Sequence, residues 1–264
     1  MLVVLKENSK EVGQEAARIV ASSLRANPKL VLGLATGSTP LGMYEELISL
    51  HHSAGLDFSQ ATSFNLDEYL GLPPESPQSF HYFMHSSFFA KVNFSPANIH
   101  IPDGALRKDY SAYCDEYERS IKSAGGIDLQ ILGIGRNGHI GFNEPNSSLA
   151  SRTRLKELTR ETIEDNRKFF PPGMEIPECA ITMGIGTILD ARRILILATG
   201  KSKAAAVAKA IEGPISSSVS ASALQLHPDV TFIIDEDAAY ALTQRDYYRR
   251  VLELTRKYTP EKLD

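Results

Sequence analysis

The chain has 264 residues, enough for one large or two small domains, and its 42% hydrophobic and 23% charged residues are those of an ordinary soluble globular protein. A net charge of −4 argues against broad nucleic-acid binding, which needs a basic surface, but leaves room for a small anionic ligand held by local donors. No apolar stretch approaches the roughly 20 residues of a membrane span, the opening MLVVLKENSKEVGQ has no signal-peptide pattern, and Cys114 and Cys179 have neither metal-ligand spacing nor disulfide density, so a cytoplasmic protein is expected.

In chain order, LVVL (2–5) reads as a short strand. From Ser9, a plausible N-cap, Val12, Ala16, Ile19, Val20 and Leu24 form a helical face that ends near Pro28. KLVLGLA (29–35) is a strand, TGSTP a turn, and a helix is expected from Pro40, which takes the first helical position. ATSFNLDEY begins as a strand and runs into the proline-rich loop LGLPPESPQ. SFHYFMHSSFFAKV is an aromatic-rich helix. NIHI is a strand, 108–123 a helix and IDLQILGIG a strand. ECAITMG, RILILAT (193–199) and VTFIID (230–235) are further strands, with a helix KSKAAAVAKAIEG between the last two. Alternating strands and helices predict an α/β fold: a mostly parallel central sheet covered by helices on both faces, in a single domain spanning 1–264.

Ligands of such sheets bind beyond the carboxyl ends of the strands, and here four of those ends carry polar loops: TGSTP, NLDEY, GRNGHIGFNEP and TGKSK. Gly133, Gly135 and Gly138 satisfy G-x-G-x-x-G. A dinucleotide site, however, needs a helix opening at the third glycine, and HIGFNEPNSS has no helical apolar face. No cofactor is therefore expected. Asn137, His139 and Glu144 place a histidine near a carboxylate, which suits proton shuttling near neutral pH, and they lack metalloprotease spacing, so no metal is expected. The hydroxyls of Thr36, Ser38 and Thr39 with the backbone of Gly37 at a helix start form an anion site. Lys203, in the first turn of the next such helix, favours a bound anion. Asp67, or its neighbour Glu68, can serve as a base. These residues describe an α/β enzyme for a small phosphorylated metabolite.

GLATGSTP (33–40), FNLDEYLGL (64–72), GIGRNGHIGFNEP (133–145), SSLASRTR (147–154) and LQLHP (224–228) resemble the glucosamine-6-phosphate deaminase family in order and spacing over most of the chain. The resemblance implies a modified Rossmann-like fold and conversion of glucosamine 6-phosphate and water to fructose 6-phosphate and ammonia without a redox cofactor. It implies Asp67 as the base moving a proton from C2 to C1. His139 would assist ring opening, oriented by Glu144 and Asn137. The phosphate would be held by Thr36, Gly37, Ser38, Thr39, Lys203 and Lys168. Ser147, Arg154 and Lys156 match the effector residues of hexameric members activated by N-acetylglucosamine 6-phosphate. A solvated basic edge strand explains them equally well, so either a hexamer or a monomer is expected.

The chain departs from the family at four places. Asn137 replaces a common aspartate, and Ala35 a common proline. Lys168 stands for an arginine, trading a bidentate fork for a point charge. Leu2 stands where activated members carry a basic residue. Three other functions share parts of the pattern. Galactosamine-6-phosphate deaminase would keep every motif. 6-Phosphogluconolactonase would lack FNEP, and a non-catalytic sugar-phosphate sensor would lose Asp67 or His139.

Overall fold

Apolar runs with few polar interruptions form the central strands, as burial on both faces requires. The computed structural model describes residues 1–260. It begins β1 (Leu2–Lys6), α1 (Ser9–Ala26), β2 (Val31–Leu34), α2 (Ser38–Ala54), β3 (Thr62–Asn65), β4 (Asp67–Tyr69) and α3 (Phe80–Ser87). It continues β5 (Ile99–His100), α4 (Tyr110–Ser123), β6 (Leu129–Gly133), β7 (Arg154–Glu157), α5 (Arg160–Asn166) and β8 (Cys179–Thr182). The last elements are α6 (Ile185–Leu189), β9 (Arg193–Ala198), α7 (Ala204–Ile211), β10 (Val230–Asp235) and α8 (Arg245–Tyr258).

Seven strands form one sheet in the order β1-β10-β9-β6-β2-β3-β5, and every neighbouring pair is parallel. Alternate residues of β9 face opposite ways. Ile194, Ile196 and Ala198 join the side packed by Tyr117 and Ile121 of α4 and Val207 of α7. Leu195 and Leu197 join the side packed by α1, α2 and the aromatic residues around α3. The mostly parallel, two-sided α/β architecture expected from the sequence is the one observed. No helix among the described residues is long and apolar enough to cross a membrane.

Helix starts differ from the sequence reading at α1, at α2 and at α7, which opens at Ala204 and leaves Lys203 in the turn before it. Asn8, not Ser9, caps α1, its side chain accepting the Glu11 N–H at 3.1 Å. Helix α2 opens at Ser38 behind Gly37, so Pro40 lies inside the first turn, where its missing N–H still costs no helical bond. Helices α1 and α2 cross closely at Gly13, where a methyl group would lie 2.7 Å from the backbone carbon of Gly42.

A second sheet, β4-β8-β7, is antiparallel. The run ATSFNLDEY, expected as one strand, divides between the two sheets at Leu66. The N–H of Leu66 donates to Leu34 O in the parallel sheet, while its carbonyl accepts from Met183 N–H at 2.7 Å. Asp67 thus leaves the parallel sheet just beyond its carboxyl edge and pairs with Thr182, which on its other side pairs with Arg154.

Candidate active site

Strands β9, β6, β2 and β3 are consecutive in the sheet and parallel, so the four polar loops foreseen in the sequence do leave from one edge. From β2 the chain moves outward through β3 to β5, and from β6 outward through β9 to β10. The reversal between β2 and β6 is a topological switch point, where such sheets open a crevice.

The loop after β6 is a tight turn rather than a helix. Gly135 N–H donates to His139 O at 2.9 Å and Gly138 N–H to Gly135 O at 3.0 Å. A methyl group on Gly135 would lie 2.3 Å from Cε1 of His139, so this glycine seats the imidazole ring. Gly138 has φ +86°, a conformation that favours glycine. The G-x-G-x-x-G pattern therefore shapes a histidine seat, and no helix begins at its third glycine.

Nδ1 of His139 lies 3.6 Å from Oε2 of Glu144, an ion-pair distance longer than a hydrogen bond. Asn137 connects the two without touching the ring: its Oδ1 accepts the His139 backbone N–H at 3.1 Å and its Nδ2 donates to Glu144 Oε2 at 3.2 Å. Burial raises the Glu144 carboxyl, but contacts with His139, Thr162 and Asn137 and the His139 charge outweigh burial and hold it at about 2. Glu144 is thus a fixed anion beneath the ring.

The two acids of NLDEY separate clearly. Glu68 accepts the backbone N–H groups of Tyr69, Phe80 and His81 at 2.8–2.9 Å and so caps the start of α3. Asp67 faces the histidine loop: a methyl group on Gly141 would lie 3.3 Å from Asp67 Oδ2 and 3.0 Å from Thr182 Oγ1. Gly141 also has φ +54°. Burial, with the nearby Glu68 charge, pushes the Asp67 carboxyl up to about 8. The loop is anchored from β8 and β7. Thr182 Oγ1 accepts the Phe142 N–H at 3.0 Å, Asn143 Nδ2 donates to Met183 O at 2.8 Å, and Arg154 Nη1 donates to Asn143 Oδ1 at 2.9 Å. Asn143 and Thr182 escaped the sequence reading, although Asn143 lies inside FNEP.

On the anion side, Gly37 (φ 103°) precedes α2 without a side-chain cap, and Gly37 and Ser38 are exposed beside half-buried Thr36 and Thr39. The first N–H groups of a 17-residue helix are therefore open to a ligand. Lys203 lies in the short turn before α7. Burial lowers its pKa, Asp165 raises it, and the positive charges of Arg136 and Lys168 lower it further. Those four side chains thus share one electrostatic neighbourhood, of which Arg136 and Asp165 were not foreseen. Lys201 points elsewhere, over the Tyr240 ring at 4.5 Å, and exposed Lys168 lies over Phe169 at 5.0 Å.

Of the three candidate effector residues, Arg154 and Lys156 have side-chain partners within the chain, whereas the buried Ser147 hydroxyl has no hydrogen-bond partner among the described residues. Ser147 is buried with its N–H on Glu144 O at 3.0 Å. Arg154 holds Asn143, and Lys156 pairs with Glu157 at 3.1 Å. Strand β7 is the edge of its small sheet, as the solvated-edge alternative requires.

Comparison with known proteins agrees with this arrangement. The chain is 51% identical over 251 residues to a glucosamine-6-phosphate deaminase of Shewanella loihica, covering 95% of this chain and 93% of the relative. It is 53% identical over 242 residues to one of Halothermothrix orenii, covering 92% and 100%. The solved structure of a monomeric glucosamine-6-phosphate deaminase matches with a TM-score of 0.89 at 47% identity, covering 91% of this chain and 100% of that one. A 6-phosphogluconolactonase from Trypanosoma cruzi, at 21% identity and a TM-score of 0.72, covers 92% and 97% and shares the fold. The profile described as glucosamine-6-phosphate isomerases/6-phosphogluconolactonase matches residues 5–232, and the chain belongs to that family.

Proposed function

We propose that the protein is a cytoplasmic glucosamine-6-phosphate deaminase of amino sugar catabolism, with residues 1–264 working as one isomerase/deaminase domain. The observation that carries the reading is the division of labour at NLDEY: Glu68 is consumed as a helix cap, while buried Asp67, with its carboxyl raised to about 8, faces the His139 loop. A carboxylate with that affinity is suited to take a carbon-bound proton near neutral pH.

Binding begins with the phosphate, at the open start of α2 around Thr36, Gly37, Ser38 and Thr39 and at Lys203 and Lys168. Fixing the sugar there holds its C1–C2 end at the crevice and supplies the orientational part of the rate. His139, kept over Gly135 and backed by the Glu144 carboxylate, passes a proton to the ring oxygen as the pyranose opens. Asn137 serves this step by holding the loop and Glu144, not the ring. Asp67 then removes the C2 proton and returns it to C1, leaving an imine at C2. Water adds to the imine, ammonia leaves, and the ketone of fructose 6-phosphate remains. General acid–base transfer of this kind contributes about 10²–10⁴-fold.

A monomer is the assembly the reading favours. Arg154 and Lys156 already have partners inside the chain, Leu2 replaces a basic residue, and a relative 47% identical is described as monomeric. The test is ammonia release from glucosamine 6-phosphate, with galactosamine 6-phosphate and 6-phosphogluconolactone beside it. Ammonia from the gluco substrate in preference to its epimer supports the proposal. Lactone hydrolysis without ammonia contradicts it.

A further inference from the structure

We infer that the Arg136–Asp165 ion pair sets the strength of phosphate binding by fastening the arm that carries Lys168 to the loop that carries His139. The substrate in this inference rests on the deaminase reading above.

Arg136 stands next to Asn137 in the loop after β6, and Asp165 lies 29 residues further on, in α5. The contact is two-pronged: Nε donates to one carboxylate oxygen at 2.9 Å and Nη2 pairs with the other. This fork fixes direction as well as distance, which a lysine could not do. Both side chains remain well exposed, at 51% and 39%, so the pair contributes little to global stability.

Its consequence is local. Helix α5 has only seven residues, of which Thr162 is the buried one, and it runs directly into the turn Arg167–Phe169 that presents Lys168. On its inner side Thr162 neighbours Glu144, and on the next turn Asp165 grips Arg136. The arm therefore meets the histidine loop at two points, one at each end of that loop's catalytic residues. Charge gives the second argument. Lys203 is partly buried within reach of the charges of Arg136 and Lys168, so cations alone would drive the Lys168 arm away. Asp165 offsets that repulsion and occupies the Arg136 fork. Three cations and one carboxylate leave a local charge of +2, which matches a phosphate dianion. Arg136 and Asp165 are positioning residues on this account, acting through Lys168 and Lys203 rather than on the reacting carbons.

The experiment compares wild type, Asp165→Asn, Arg136→Gln and the charge-swapped double variant R136D/D165R. Each is assayed for ammonia release from glucosamine 6-phosphate and, by calorimetry, for fructose 6-phosphate binding. Each single variant should raise KM by about threefold to tenfold with kcat within about twofold, and weaken product binding in parallel. The swapped variant should bring both back to within about twofold of wild type. A lower KM in Asp165→Asn would show Asp165 merely repelling the phosphate and would overturn the inference. So would singles with unchanged KM and product affinity, or a loss confined to kcat. If wild type releases no ammonia, the deaminase reading fails, while the fructose 6-phosphate affinities of the four proteins still decide the role of the pair. Failure of wild type to bind fructose 6-phosphate overturns both.

Discussion

Asp67 and Glu68 are adjacent on β4 yet serve different elements: Glu68 holds the backbone N–H groups of Phe80 and His81, and Asp67 faces Gly141 in the histidine loop. Alternation of side chains along a strand makes this separation automatic. Glu68→Ala should therefore cost stability, by about 1–3 kcal/mol, because it strands three N–H donors. A chemical denaturation curve checks this, and kcat of the folded fraction should change far less than stability does.

Raised affinity of Asp67 for its proton has two pH signatures. Between the ordinary aspartate value of 3.8 and its folded value of about 8, the folded protein keeps a proton that the unfolded chain has released. The contribution of Asp67 to stability therefore falls as pH rises through that window and is fully lost above it. For the proposed role of Asp67 as base, activity runs the other way, since a base must be ionised: kcat/KM should rise with pH through about 8. Melting temperatures and kcat/KM measured across this range for wild type and Asp67→Asn give both signs: the variant should lose the kcat/KM slope and flatten the stability slope, keeping the part that buried Glu68, itself raised to about 7, contributes.

Gly135 has no room for a side chain, because a methyl group would come within 2.3 Å of the His139 ring. Gly135→Ala should displace the imidazole and lower kcat by about 10²-fold, with a smaller change in KM. Steady-state kinetics with a parallel melting curve separates this from misfolding.

Arg154 supports Asn143, and through it the loop that carries His139 and Glu144. Arg154→Met should lower kcat by roughly tenfold whether or not N-acetylglucosamine 6-phosphate is present. The wild-type rate should be insensitive to that sugar, and the protein should sediment as a monomer. Activation of the wild type that vanishes in Arg154→Met would instead assign Arg154 to an effector site.

The parallel sheet was readable because its strands, such as RILILAT and VTFIID, are continuous apolar runs between polar loops. Helix α1 was readable because all five of its expected core residues share one face, and all five are buried. The division of ATSFNLDEY was not readable, since it depends on Leu66 bonding to Leu34 on one side and Met183 on the other, a partner more than a hundred residues away. Helix α8 escaped because only Tyr248 and Leu252 are buried on an otherwise charged helix. At the site, Asn137, His139 and Glu144 were legible from their spacing, but the route by which Asn137 acts was not. Spacing alone left Asp67 and Glu68 open and the family resemblance implied Asp67; that Glu68 is the carboxylate reaching α3 is visible only in the structure. Arg136 and Asp165 carry no local signal, each being an ordinary surface charge until the fold brings them together.

The measurement that tests the account most directly pairs ammonia release with fructose 6-phosphate binding in Asp67→Asn. Turnover should fall by at least about 10²-fold while product affinity stays within a few-fold of wild type. Residual turnover with binding lost would contradict it and make Asp67 a structural residue.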